Sequence, residues 1–112
     1  MGSEQDEYES ISFHQAAIDQ RNNVIGVGRI SPESSTVMRI RYMAVANGFR
    51  RQGIGSRIVQ NLLAYAKQNN VGMCWLNARE NAVEFYRKNG FDVINSIETG
   101  LKIAHFQMTI QL

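Results

Sequence analysis

The chain is poor in cysteine and proline, and over a long stretch it lacks acid altogether. A single cysteine, Cys74, excludes an internal disulfide and zinc clusters of the paired-cysteine type. No metal is expected. The only proline, Pro32, falls within Ser31–Ser35, a turn-like run. No apolar run approaches the roughly 18 residues that a membrane helix needs, so no membrane partner is expected. Met1–Ser10 is polar and acidic, which excludes a signal peptide; it reads as a disordered or tag-like tail, residues 1–10, ahead of one domain at 11–112. An intracellular, cytoplasmic protein fits best. Between Ser34 and Ala78 there is no carboxylate, while Arg39, Arg41, Arg50, Arg51, Arg57 and Lys67 stand there. A basic stretch of this kind suits a polyanion, nucleotide or nucleic acid, although by charge alone a solvated basic surface stays the leading reading. The net charge of +2 makes nucleic acid the weakest of these.

What is present is the pattern of one α/β domain of 112 residues, a size at which a modest single core is feasible. Ile11–Ile18, Val24–Ile30 and Val37–Ala46 read as strands joined by short turns, which favours an antiparallel meander. Gly26 and Gly28 share one face of the second strand. On the third, Met38, Ile40 and Tyr42 alternate with Arg39, Arg41 and Met43. The period then changes: Ile54, Ile58, Leu62 and Tyr65, with Val59, Leu63 and Ala66, recur at helical spacing from about Gly53 to Asn69–Asn70. Met73–Asn77 is a short strand, so strand, helix and strand suggest a parallel crossover. Glu80–Asn89 reads as a second helix capped by Gly90. Phe91–Ile94 and Ala104–Leu112 read as the last strands, with Asn95–Gly100 as their link. The expected fold is a mixed, mostly antiparallel sheet with a central parallel strand pair and two helices.

The sharpest local feature joins the third strand to the first helix. Met43-Ala44-Val45 ends the strand, Ala46–Phe49 is a short loop, and Arg50-Arg51-Gln52-Gly53-Ile54-Gly55-Ser56 leads into the helix. First-turn amides have no intrahelical partner and sit at the positive end of the helix dipole. Glycines let an anion approach the backbone, and arginines add charge-assisted hydrogen bonds. A Walker loop needs Lys-Ser or Lys-Thr after its last glycine, whereas Ser56-Arg57 follows Gly55. The dinucleotide fingerprint needs a third glycine or alanine where Ile58 stands. Taken by itself, the loop also fits a turn that merely packs a helix on a sheet.

Phe49-Arg50-x-x-Gly53-x-Gly55 closely resembles the coenzyme A-binding motif of the GNAT superfamily of N-acetyltransferases. Leu76 through Phe91, with Asn81, Phe85-Tyr86 and Gly90-Phe91, resembles that superfamily's second signature, in its order and at its spacing. The resemblance covers Phe13–Leu112. It implies the GNAT-like acyl-CoA acyltransferase fold, acetyl-CoA as cosubstrate, and an amine acceptor that attacks the thioester through a tetrahedral intermediate. It further implies that the amides of Arg51, Gln52, Gly53, Ile54, Gly55 and Ser56, with the Arg50 or Arg51 side chain, hold the diphosphate. Met43, Ala44 and Val45 pair with the pantetheine arm, an amide near Val45 polarises the thioester, and Asn77 and Asn81 touch the pantetheine. Tyr86 faces the sulfur and is the expected acid. No base is evident: Val37–Ala46 lacks the glutamate some members carry, and His105 is a lesser candidate, ahead of His14. Cys74 reads as a core residue. The meander begins at about Ile11, without the strand and helices that in the family precede it and shape the acceptor pocket. A reduced acceptor site would suit an exposed amine, a second subunit of a homodimer completing the pocket, or a noncatalytic acyl-CoA-binding module.

Overall fold

Six strands and two helices form in the computed structural model, which describes residues 12–98 and 104–112. The strands are β1 (Phe13–Ile18), β2 (Val24–Pro32), β3 (Val37–Val45), β4 (Met73–Arg79), β5 (Asp92–Glu98) and β6 (Ala104–Gln111). The helices are α1 (Ile54–Gln68) and α2 (Val83–Lys88). One sheet runs in the order β1-β2-β3-β4-β6-β5, with β3–β4 parallel and every other pair antiparallel. This is the expected mixed architecture. The acidic tail at 1–10 lies outside the described residues, as do Ile11 and the whole β5–β6 link, 99–103.

The helical repeat in α1 places Ile58, Val59, Leu62, Leu63 and Ala66 in the core, each large side chain contributing roughly 1.5–3 kcal/mol on burial. They pack with Ile30, Met38, Ile40, Leu76 and Met108 from the sheet. Close approach of α1 depends on Gly28, where an added Cβ would stand 2.6 Å from Ile58 Cγ2 and 2.8 Å from Met43 Sδ. Helix α2 lies beside α1 on the same face of the sheet. The buried Asn89 ties them: its Nδ2 donates to Ser56 Oγ (3.2 Å) and Phe85 O (2.9 Å), and its Oδ1 accepts from Gln60 Nε2 (3.0 Å). Among the described residues no helix covers the opposite face.

Both helices end in the paired bonds of a Schellman motif. Asn70 (φ 60) closes α1 with Val71 N donating to Ala66 O, and Gly90 (φ 101) closes α2 with Phe91 N donating to Tyr86 O. The second helix differs from expectation at its start, where Glu80–Ala82 is a 3₁₀ turn before Val83. Strand β5 continues past Ile94 to Glu98 because β6 supplies partners, Ser96 against Phe106 and Glu98 against Ala104; cross-strand pairing outweighs the polar sequence there.

The alternation expected for β3 fails midway. Tyr42 stands opposite Arg29 but Ile40 stands opposite Ile30, so Arg41 is an extra residue in a β-bulge. Beyond a bulge the facing of side chains reverses. Met43 therefore turns under α1, against Gly28, while Tyr42 is 57% exposed. On the open face Arg41 Nε donates to Ser31 Oγ (3.0 Å) and Arg41 Nη2 pairs with Glu33 (3.3 Å). Trp75 Nε1 donates to Glu33 Oε1 (2.9 Å), and the Arg39 guanidinium lies 4.4 Å from the Trp75 ring centre.

Candidate active site

The parallel pairing of β3 with β4 stops after Arg39–Trp75, although β3 runs on to Val45 and β4 to Arg79. The two strands part and leave backbone without a sheet neighbour. The Ala46 amide donates to Ile25 O on β2 (2.8 Å). By strand alternation the Val45 and Met43 amides and carbonyls point the other way, into the gap. A segment that needs main-chain partners can add here as a strand would.

A cleft of about 940 Å³ opens at this point, near the upper end of the usual range for ligand sites. Met43, Ala44 and Val45 form its β3 wall; Arg50, Arg51, Gly53, Gly55 and Ser56 its loop; Asn81 and Tyr86 the wall opposite. The cleft thus gathers ten of the thirteen residues expected to serve the site. Gln52, Ile54 and Asn77 are not among its lining. Gln52 Nε2 turns back to Gly48 O (3.3 Å). Ile54 is half-buried towards β2, with its Cγ2 3.1 Å from where a Cβ on Gly26 would lie. Asn77 pairs with Gln107 along β4–β6 and is exposed. Sequence reasoning missed Arg79, Ala82, Phe85 and Lys88. Arg79 and Lys88 flank the second motif, and the signal for them was charge: Arg50, Arg51, Arg79 and Lys88 all line the cleft, with no carboxylate among the described lining residues.

The loop takes left-handed backbone at two of its residues. Arg51 (φ 65) and Gly53 (φ 80) are left-handed while Arg50 and Gln52 are not. Left-handed residues within a turn are a feature of the backbone nests that receive anions. Gly53 also caps α1, with no side-chain hydrogen bond at the cap and no acid in the first turn. Holding a non-glycine residue such as Arg51 in this region costs roughly 1–2 kcal/mol, so the loop's geometry is maintained against a local preference.

Tyr86 is 8% exposed and meets Phe85 and Phe91 edge-on, with ring centres 5.0 and 5.8 Å away. Burial pushes its phenol up to about 12, so it is protonated at neutral pH and can donate a hydrogen bond into the cleft. Burial likewise pushes the Cys74 thiol up to about 12. Cys74 is fully buried in the core, as expected of a packing residue. His105 pairs with Arg79 across β4–β6 and so shares the face of a cleft-lining residue. His14, on the edge strand β1, is separated from β3 by β2. Among the described residues there is no group of three or more His, Cys, Asp or Glu placed to hold a metal ion, and no helix is long and apolar enough to cross a membrane.

Comparison with known proteins agrees with this geometry. A family model described as the acetyltransferase (GNAT) domain matches residues 3–112. A histone acetyltransferase, TAP1 of Glycine max, is 28% identical over 79 residues, 70% of this chain and 34% of its own length. The chain thus spans about a third of that relative. The crystal structure of an aminoglycoside 6'-N-acetyltransferase with coenzyme A superposes with a TM-score of 0.85 at 17% identity, covering 96% of this chain and 77% of the other. A GNAT family acetyltransferase from Elizabethkingia anophelis, with acetyl-CoA bound, does so at 0.84 and 19% identity, covering 100% and 84%. At these identities the superpositions establish the fold.

Proposed function

The chain belongs to the GNAT acetyltransferase domain family, and on that premise we propose that it transfers the acetyl group of acetyl-CoA to an amine nitrogen. The observation that carries the proposal is the parting of β3 and β4 beyond Arg39–Trp75, with one continuous cleft running from the Arg50–Ser56 loop to Tyr86. The loop amides and the flanking cations take the diphosphate. The pantetheine arm lies along Met43–Val45, and the Val45 amide donates to the thioester oxygen as negative charge develops there. A neutral amine attacks the carbonyl carbon. The new N–C bond forms, the C–S bond breaks, and the sulfur leaves as thiolate. The amine's proton goes to solvent water through the open cleft.

Tyr86 serves the departing sulfur. Burial pushes its phenol up to about 12, so it stays protonated at neutral pH and is available as acid to the sulfur as the C–S bond breaks. One test follows free thiol release from acetyl-CoA with a panel of amines. Tyr86→Phe should lower kcat roughly 10²-fold, within the range for such catalysis, with coenzyme A affinity nearly unchanged. Unaltered turnover would remove Tyr86 from the mechanism.

One observation favours a second reading, a noncatalytic acyl-CoA-binding module: neither a carboxylate nor a histidine lines the cleft among the described residues. Tight coenzyme binding with no amine-dependent thiol release would establish that reading instead.

A further inference from the structure

Resting on the acetyltransferase reading, we infer that the acceptor amine carries an uncharged apolar substituent, seated in a groove at the end of β2–β3 and distinct from the coenzyme cleft. The groove holds about 230 Å³ and is lined by Val24, Ile25, Val27, Ala44 and Ala46 together with Gly26 and Val45. Register places Val27 opposite Ala44, and the Ala46 amide bonds to Ile25 O. These side chains make an apolar shelf on the sheet face that α1 does not cover. Ala44 and Val45 line both the groove and the cleft. A substituent on the shelf therefore lies beside the strand end where the thioester is polarised, and its amine is brought to the carbonyl carbon.

Charge separates this acceptor from a polyamine. No carboxylate lines either the groove or the cleft among the described residues. Asp19, in the adjacent β1–β2 turn, accepts from the amides of Arg21 (2.8 Å) and Asn23 (2.9 Å) and lines neither. Glu33 bonds Arg41 and Trp75. The further amines of a polycation would find no carboxylate to pair with along the groove, whereas an aliphatic or aromatic substituent loses water against the shelf. Exposed apolar surface supports the same occupant: Val24, at the rim, is 58% exposed.

The test compares kcat/KM for hexylamine, phenethylamine and leucinamide with that for spermidine and an aminoglycoside, while coenzyme A binding is measured by calorimetry. The apolar amines should be preferred by about tenfold or more. Val24→Glu, at an exposed position, should reduce that preference about tenfold with coenzyme A affinity unchanged, and Val27→Asp should act in the same direction. Equal or better turnover of spermidine, or an unaltered preference in Val24→Glu, overturns the inference while leaving the acetyltransferase reading intact. A wild-type dimer that Val24→Glu dissociates without altering the preference also overturns it, because a second copy then fills the groove. Coenzyme binding with no thiol release for any amine sinks both.

Discussion

Alanine at Gly28 tests the docking of α1 on the sheet, on which the whole cleft depends. Its Cβ would lie 2.6 Å from Ile58 Cγ2, 2.8 Å from Met43 Sδ and 3.1 Å from Leu62 Cδ1. Carbon atoms in contact prefer about 3.5–4.0 Å, so roughly 1 Å must be found. Met43 is unbranched and half-buried at the cleft, and it can yield. Ile58 is β-branched, stiff at χ1 in a helix, and 3% exposed; it yields only if α1 shifts. Overpacking of this kind costs about 1–3 kcal/mol. The lower chain entropy of unfolded alanine returns about 0.4–1 kcal/mol, leaving a net destabilisation of about 1–2 kcal/mol. Two other glycines calibrate the estimate. At Gly26 the contacts are longer, 3.0 Å to Ile58 Cδ1, a side-chain end that can move, and 3.1 Å to the branch methyl Cγ2 of Ile54 at the start of α1, so alanine should cost less than at Gly28. At Gly72 only Thr36 O lies within reach, at 3.9 Å, and alanine should stabilise by about 0.5 kcal/mol. Urea unfolding with a common m-value measures all three. Gly28→Ala as stable as Gly72→Ala would refute the placement of α1 on β2. Because Met43 must give way, Gly28→Ala should also weaken coenzyme A binding, which Gly72→Ala should not.

Gly53→Ala meets no neighbour but keeps a φ of 80; it should cost about 1 kcal/mol in stability and weaken coenzyme A binding more than that, since the amide nest distorts, as calorimetry would show. Asn89→Ala removes the hydrogen bonds that join α1 to α2 and should cost about 2 kcal/mol in urea unfolding; a loss under 0.5 kcal/mol would mean that the helices hold together by packing alone. The alkaline limb of stability follows from two buried acids. Cys74 rises from 9.0 and Tyr86 from 10.0, each to about 12. The unfolded state therefore loses protons first as pH rises, and stability that is complete below about 9 is lost progressively towards 12, at most about 1.4 kcal/mol per pH unit for each group. Cys74→Ala should remove the part that begins near 9; an unchanged slope in that variant would show the thiol does not contribute.

The elements were legible where one periodicity ruled a segment. Ile54 through Ala66 repeats at helical spacing because a single face is buried, and Gly90 announced the end of α2 because only a left-handed residue fits there. Charge also read through: arginines without acids marked the neighbourhood of the cleft. Three features were not legible. The bulge at Arg41 reversed the facing of Met43 and Tyr42, since an inserted residue leaves the alternation of the sequence itself intact. The length of β5 depended on β6, a partner remote from Ile94 in the chain. Arg79 and Lys88 joined the cleft only because β4 and α2 bring them to the same opening as the loop.

The sequence by itself determined the glycine-rich loop, the helix that follows it and the succession of strands along the chain, because glycine conformation, orphan helix amides and hydrophobic period are local properties. Only the tertiary structure decided where β3 and β4 separate, which way the Val45 amide points, and that an apolar shelf beside it bears no carboxylate. Those depend on strand register and on which residues distant in the chain meet, and register is set by packing across the sheet rather than by any one segment.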